Sequence, residues 1–152
     1  MRLVTPSEKS LEFINPRRRS KMRIDHVAIA VNNLDEAVKE YQTALGIKEV
    51  EFETVETEGV RVAILHLENS RIELMEATKE SSPIKKFLET KGEGLHHIAL
   101  ETIGIDGEVN RMKECGIRFL GEVRSGSRGT KIIFIHPKSL HGVLTELCTH
   151  PK

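Results

Sequence analysis

The chain has 152 residues, 23 basic and 23 acidic, so its formal charge at pH 7 is zero. That balance speaks against a dedicated nucleic-acid binder, which carries a marked basic excess, and no apolar run approaches the ~18 residues that a membrane span needs. With 38% hydrophobic residues, 30% charged residues and no Trp, the composition is that of one soluble globular domain whose interior must be filled by Ile, Val and Leu.

Residues 1–21 are polar, hold Glu8, Glu12 and the run Pro16-Arg17-Arg18-Arg19, and lack the apolar stretch of a signal peptide. They are expected to form a solvated lead-in outside the core, with Met22 standing where a natural start would fall and the protein cytoplasmic. A β-branched run, Ile24–Ile29, then reads as a strand. The stretch from Leu34 to Leu45 carries apolar residues at Leu34, Ala37, Val38, Tyr41 and Leu45, the 3-and-4 spacing of an amphipathic helix. Gly46 follows as its C-terminal cap. Three strand-like runs come next, at Glu49–Val55, Arg61–Leu67 and Arg71–Ala77. The segment 81–89, with serines before Pro83, predicts a short linking helix.

The pattern then recurs. Leu95–Leu100 lies over Ile24–Ile29 at an offset of 71 residues. A second helix is predicted through Val109, Met112 and Cys115 with Gly116 as its stop. Three more strands follow at Phe119–Arg124, Lys131–His136 and Val143–Cys148. The order β-α-β-β-β therefore occurs twice. The two cysteines, Cys115 and Cys148, make no disulfide scaffold and read as buried free thiols.

The repeat places one His and one Glu in each half. His26 and His97 align in the first strands, and Glu73 and Glu146 lie in the last ones. The His-to-Glu spacings are 47 and 49 residues. If the halves pack about a pseudo-two-fold axis, equivalent residues converge near it. Two imidazoles and two carboxylates suit a borderline divalent ion and leave coordination positions free, as a catalytic site requires.

The remaining histidines carry less. His66 and His136 also match across the repeat, but strand-end packing accounts for them. Alternation puts His96 on the sheet face opposite His97, His141 falls in a turn, and His150 is near the terminus. The stretch Arg124–Lys131 has two glycines, three basic residues and three hydroxyls. It suits a phosphate cradle, and a plain polar hairpin loop equally well.

This doubled order with paired His and Glu resembles the vicinal oxygen chelate (glyoxalase-like) superfamily over residues 22–152. Within it, Ile-Asp-His-Val-Ala-Ile-Ala-Val at 24–31, Ser-Pro-Ile at 82–84 with Phe87-Leu88, Gly-Leu-His-His-Ile-Ala at 94–99, and His-Pro-Lys-Ser at 136–139 leading to Gly-Val-Leu-Thr-Glu-Leu at 142–147 are similar to the methylmalonyl-CoA epimerase branch. The resemblance implies an α+β fold: two βαβββ repeats, 22–80 and 93–150, packed about a pseudo-two-fold axis so that a curved mixed sheet encloses a metal site. It implies His26, Glu73, His97 and Glu146 as ligands of one divalent ion, Co2+ first, with Mn2+, Ni2+ or Zn2+ as alternatives. The implied enzyme is an epimerase, acting as a cytoplasmic homodimer on an acyl-CoA with no nucleic-acid or membrane partner. It interconverts (2R)- and (2S)-methylmalonyl-CoA by removing and returning the α-proton through a metal-stabilised enolate.

Glu146 and Glu58 are the candidate acid/base residues, and Arg61, Arg128 and Lys131 the candidate contacts to CoA or to the substrate carboxylate. Val62 stands where some relatives have an acid, which leaves the second proton carrier open. A glyoxalase I-type lactoylglutathione lyase with a similar ligand set is the alternative enzyme. A three-ligand Fe(II) dioxygenase is disfavoured by the fourth acid. A non-catalytic ligand-binding protein of the same fold is the alternative from outside enzymology.

Overall fold

The first β-branched run forms β1, Arg23–Ala30, in the computed structural model, which describes residues 20–152. The lead-in expected over 1–21 therefore lies almost wholly outside the described residues. α1 (Leu34–Leu45) starts at Asn33, whose side chain accepts the Glu36 backbone N–H at 3.0 Å. That bond satisfies one of the free donors of the first turn. The helix stops at Gly46, φ 69°, which donates its N–H to the Gln42 carbonyl. This left-handed position costs Gly nothing and an L side chain something.

β2 (Val50–Val55), β3 (Val60–His66) and β4 (Arg71–Ala77) form a meander. α2 (Pro83–Lys91) links the halves, with the Ser82 hydroxyl accepting the Ile84 N–H at 3.2 Å. The second half repeats the first as β5 (Gly94–Glu101), α3 (Ile105–Glu114), β6 (Phe119–Ser125), β7 (Lys131–Ile135) and β8 (Thr145–Thr149). The order expected from the sequence holds, with ends moved by a residue or two. The largest change is β8: residues 137–140 form a 3-10 turn closed by His141 at φ 55°, which delays pairing to Thr145.

One curled eight-stranded sheet results, in the order β2-β3-β4-β1-β5-β8-β7-β6. β1 runs parallel to β4 and β5 parallel to β8, while β1 and β5 meet antiparallel at the centre with Val27 opposite Ile98. Residues 27 and 98 are repeat equivalents, so the pseudo-two-fold axis passes between them. α1 covers one face of the first half through Leu34, Val38, Leu65 and Leu74, and α3 covers the same face of the second through Ile105, Val109, Ile133 and Leu147. Each fully buried Leu or Ile contributes about 1.5–3 kcal/mol from leaving water. α2 lies on the other, concave face, where Ile84, Phe87 and Leu88 meet Ala28, Val60, Val62 and Met75. The site lies on that concave face. Among the described residues no helix is long and apolar enough to cross a membrane.

Candidate metal centre and cleft

The central ladder contains two bulges. Pairing steps from Ile24↔Leu100 to His26↔Ala99, and from Ala28↔His97 to Ile29↔Leu95. The residues left over, Asp25 and His96, are equivalents in the repeat. A bulge defeats strict alternation, so Asp25 joins His26 and His96 joins His97. The expectation that His96 faces away is thus corrected: it lines the cleft, its Nδ1 lies 2.9 Å from His97 Nδ1, and its ring stands 4.9 Å from that of Phe87.

Ala28 pairs across to both Glu73 and His97, and Ala99 to both His26 and Glu146. Both alanines are 0% exposed, and only a side chain this small lets four larger ones converge above it. His26 Nε2 lies 3.3 Å from His97 Nε2, and Glu146 Oε2 lies 3.2 Å from the former and 3.8 Å from the latter. Glu73 Oε2 sits instead on the other side of the His26 ring, 2.9 Å from Nδ1. The structure therefore gathers His26, His97 and Glu146 into one group and Glu73 into an adjoining one with Asp25 and His26.

The protons follow from the partners. Burial opposes ionisation of Asp25, but hydrogen bonds from His26 and His150 and the charge of Arg71 outweigh it and hold its carboxyl well below the usual range. A carboxylate only accepts, so His26 donates Nδ1–H to Asp25 Oδ2 at 2.7 Å. Burial also disfavours charge on His26, yet its bond to Asp25 and the close carboxylates of Glu146 and Glu73 raise its pKa to about 11. Burial, then the charges of His26 and His96, push His97 well below the ordinary imidazole value. Burial and Lys91 lower His96 to about 4. The consistent arrangement is a relay: cationic His26 donates Nε2–H to neutral His97, which donates Nδ1–H to neutral His96. Burial raises the Glu146 carboxyl.

The donors fit a metal ion. Glu73 Oε2 and Glu146 Oε2 are buried and lack a hydrogen-bond partner, a condition that costs ~1–3 kcal/mol or more per group. The two facing imidazole nitrogens and the Glu146 oxygen form the mixed N/O set that borderline divalent ions take, with the Glu73 oxygen adjoining on the Nδ1 side of His26.

A cleft of about 260 Å³ opens onto this group, walled by Val60, Val62, Met75, Ile84, Ile132 and Phe134. Val62, at the position where an acid was in question, is 2% exposed in that wall. Glu58 reaches the rim and is bound there by Arg124, whose guanidinium also lies 5.5 Å over the Phe134 ring. This ion pair spans the two halves, and Arg124 is the only Lys or Arg among the described residues that lines the cleft.

None of the three cations singled out from the sequence lines it. Arg61 alternates to the helix-covered face, bonding Asp35 at 3.2 Å. Lys131 lies near the start of α3. Arg128 stands beside the mouth, φ 59°, with its backbone N–H donated to Glu53 at 2.9 Å. Its loop touches the cleft through Gly126, where a Cβ would meet Ile132 at 2.7 Å. His66 pairs with Glu51, and His136 caps the turn at Lys138. Cys148 is a buried free thiol as expected, while Cys115 is only half-buried. Sequence reasoning missed Asp25 and Arg71, and had Arg124 only as part of the Arg124–Lys131 stretch. An acid beside a His on a strand gives no signal unless the bulge is known.

The family model described as Glyoxalase/Bleomycin resistance protein/Dioxygenase superfamily matches residues 25–134. The chain is 40% identical to the ethylmalonyl-CoA/methylmalonyl-CoA epimerase of Cereibacter sphaeroides, over 82% of this chain and 96% of that one. It is also 40% identical to the mitochondrial methylmalonyl-CoA epimerase of Homo sapiens, over 82% of this chain and 72% of that one. Among solved structures, a methylmalonyl-CoA epimerase in complex with methylmalonyl-CoA and NH4+ matches with TM-score 0.82 and 41% identity, covering 86% of this chain and 96% of that one.

Proposed function

The chain belongs to the glyoxalase/bleomycin resistance protein/dioxygenase superfamily, and from that premise we propose that it is a metal-dependent epimerase interconverting (2R)- and (2S)-methylmalonyl-CoA. One observation carries the reading: the His26 and His97 imidazole nitrogens and the Glu146 carboxylate collect in a mainly apolar cleft, with the Glu73 carboxylate adjoining them. The epimerases it is similar to, at about 40% identity over most of their length, supply the substrate.

His26, His97, Glu146 and Glu73 would hold one divalent ion, taken as Co2+ with Mn2+, Ni2+ or Zn2+ as alternatives. When bound, such an ion supplies Lewis-acid stabilisation of negative charge on the substrate's oxygens. A cleft of about 260 Å³ admits the acyl end and leaves the nucleotide outside, where the loop carrying Arg128 borders it through Gly126 and Ser127. The apolar walls exclude water around the α-carbon and strengthen every charge interaction there. Glu146, whose carboxyl is raised by burial, suits a group that takes a proton and gives it back. Epimerisation needs proton transfer on both faces of a planar anion. Glu58 reaches the cleft from the other half and takes the second role once Arg124 lets go of it.

The same reading makes the protein a cytoplasmic homodimer. Ile24, Leu95 and Ile98 support it: they are 53%, 66% and 37% exposed on the two central strands, on the helix-bearing face in the gap between α1 and α3.

The test is to incubate the Co2+-loaded protein with (2R)-methylmalonyl-CoA in deuterated water. Deuterium should enter at the α-carbon and the (2S) epimer should appear. Failure of both, with metal bound, sinks the proposal.

A further inference from the structure

Asp25 has no part in the chemistry above, yet it is one of the most buried charges in the chain, 6% exposed. Its two oxygens are engaged from different sides. Oδ2 accepts His26 Nδ1–H at 2.7 Å and meets the Arg71 guanidinium, while Oδ1 accepts His150 Nε2–H at 2.6 Å. A carboxyl torsion is broad and soft when free. Held at both oxygens, this one cannot turn, and neither can the His26 ring bonded to it. With Nδ1–H committed to Asp25, Nε2 is the atom of His26 left to face His97 Nε2 and Glu146.

His150 follows the end of β8, the strand that carries Glu146. His150 thus reaches the His26 ring through Asp25. The other half offers no counterpart. His97 Nδ1 leans on the neutral His96 ring, which no carboxylate holds.

We infer that His150 is a positioning residue for the metal centre, acting through Asp25 to fix the tautomer and orientation of the His26 ring. The inference rests on the proposed metal centre. Outer partners of metal-bound histidines fix ring and tautomer, and their loss typically costs 10–100-fold in metal affinity. His150 acts one bond further out, so about tenfold, the low end of that range, is expected.

The experiment compares wild type, His150→Phe and His150→Gln. Co2+ affinity is measured by competition with a chelator, and the His26 Nδ1–H resonance is followed by NMR in the metal-free and Zn2+-loaded proteins. His150→Phe should weaken Co2+ about tenfold and move the His26 Nδ1–H resonance upfield. His150→Gln, whose amide still donates to Oδ1, should recover most of both.

Wild-type affinity and an unmoved resonance in His150→Phe overturn the inference and leave the metal centre standing. Equal losses in His150→Gln and His150→Phe also overturn it, because they mark His150 as packing alone. Wild type that binds no Co2+ overturns the metal centre, and the inference with it. His150 lies just outside β8, which ends at Thr149, and the metal-free melting temperature verifies that the substitutions leave the sheet intact.

Discussion

Loading the site with Co2+ at different pH values separates the two imidazoles. In the metal-free protein, the bond of His26 to Asp25 and the close carboxylates of Glu146 and Glu73 outweigh its burial and raise its pKa to about 11. His97 is held well below the ordinary value, first by burial and then by the charges of His26 and His96. At pH 8, His26 is therefore a cation and His97 is neutral. A metal ion needs the Nε2 lone pair of each ring, while both Nδ1–H groups keep their partners. Only one proton has to leave. One proton released per ion means that affinity rises about tenfold per pH unit, or about 1.4 kcal/mol. Between pH 7 and pH 9 the gain is roughly 100-fold, and it continues until pH approaches the raised His26 value. The sign follows from the competitor: the protonated ring excludes the ion, so binding strengthens as pH rises. At the acid end Glu146, raised by burial, adds a second proton. Two ordinary histidines, with pKa near ~6.5, would release almost nothing at pH 8. Calorimetric Co2+ titrations in buffers of different ionisation enthalpy count the protons directly. No release at pH 8 would refute the assignment of charge within the His26–His97 pair.

Two further outcomes are expected. Glu146→Gln should slow deuterium entry at the α-carbon by roughly 10²–10⁴-fold, with bound Co2+ measured alongside to separate lost proton transfer from lost metal; an unchanged rate removes Glu146 from the chemistry. Ala99→Leu forces extra carbons between His26 and Glu146 at a position 0% exposed, so it should destabilise the fold by about 1–3 kcal/mol and reduce metal content, read by thermal melting and elemental analysis.

The four proposed ligands were legible because duplication writes the same chemistry twice. His26 with His97 and Glu73 with Glu146 stand out by matched spacing, and Gly46 and Gly116 mark the helix ends in each half. What was hidden depends on exceptions to alternation and on sheet curl. The bulges at Asp25 and His96 turn both side chains inward, and period-two reading assigns them outward. Arg124 and Glu58 are 66 residues apart, and meet only because the sheet bends until its two edges approach. Arg61 has the right charge for a substrate contact, but its register opposite Glu76 puts it on the helix side. His150 looked like a residue near a terminus because its partner is 125 positions away.

The repeat explains why the site lies on the axis, and the two bulge residues explain why it is not symmetric. Identical halves would surround both imidazoles identically. Two cationic rings with nitrogens 3.3 Å apart would repel by about 5 kcal/mol at an effective dielectric constant near 20. Asp25 in one half and His96 in the other remove that conflict by assigning the charge. The carboxylate keeps a proton on His26, and the neutral ring leaves His97 free to accept the Nε2–H bond. In the metal-free protein that proton sits between the nitrogens and faces the Glu146 carboxylate, where a cation is wanted. Loading the metal then replaces one positive charge by another among donors that already converge. Departure from the repeat at one residue pair thus gives the two imidazoles of the duplicated site different charges.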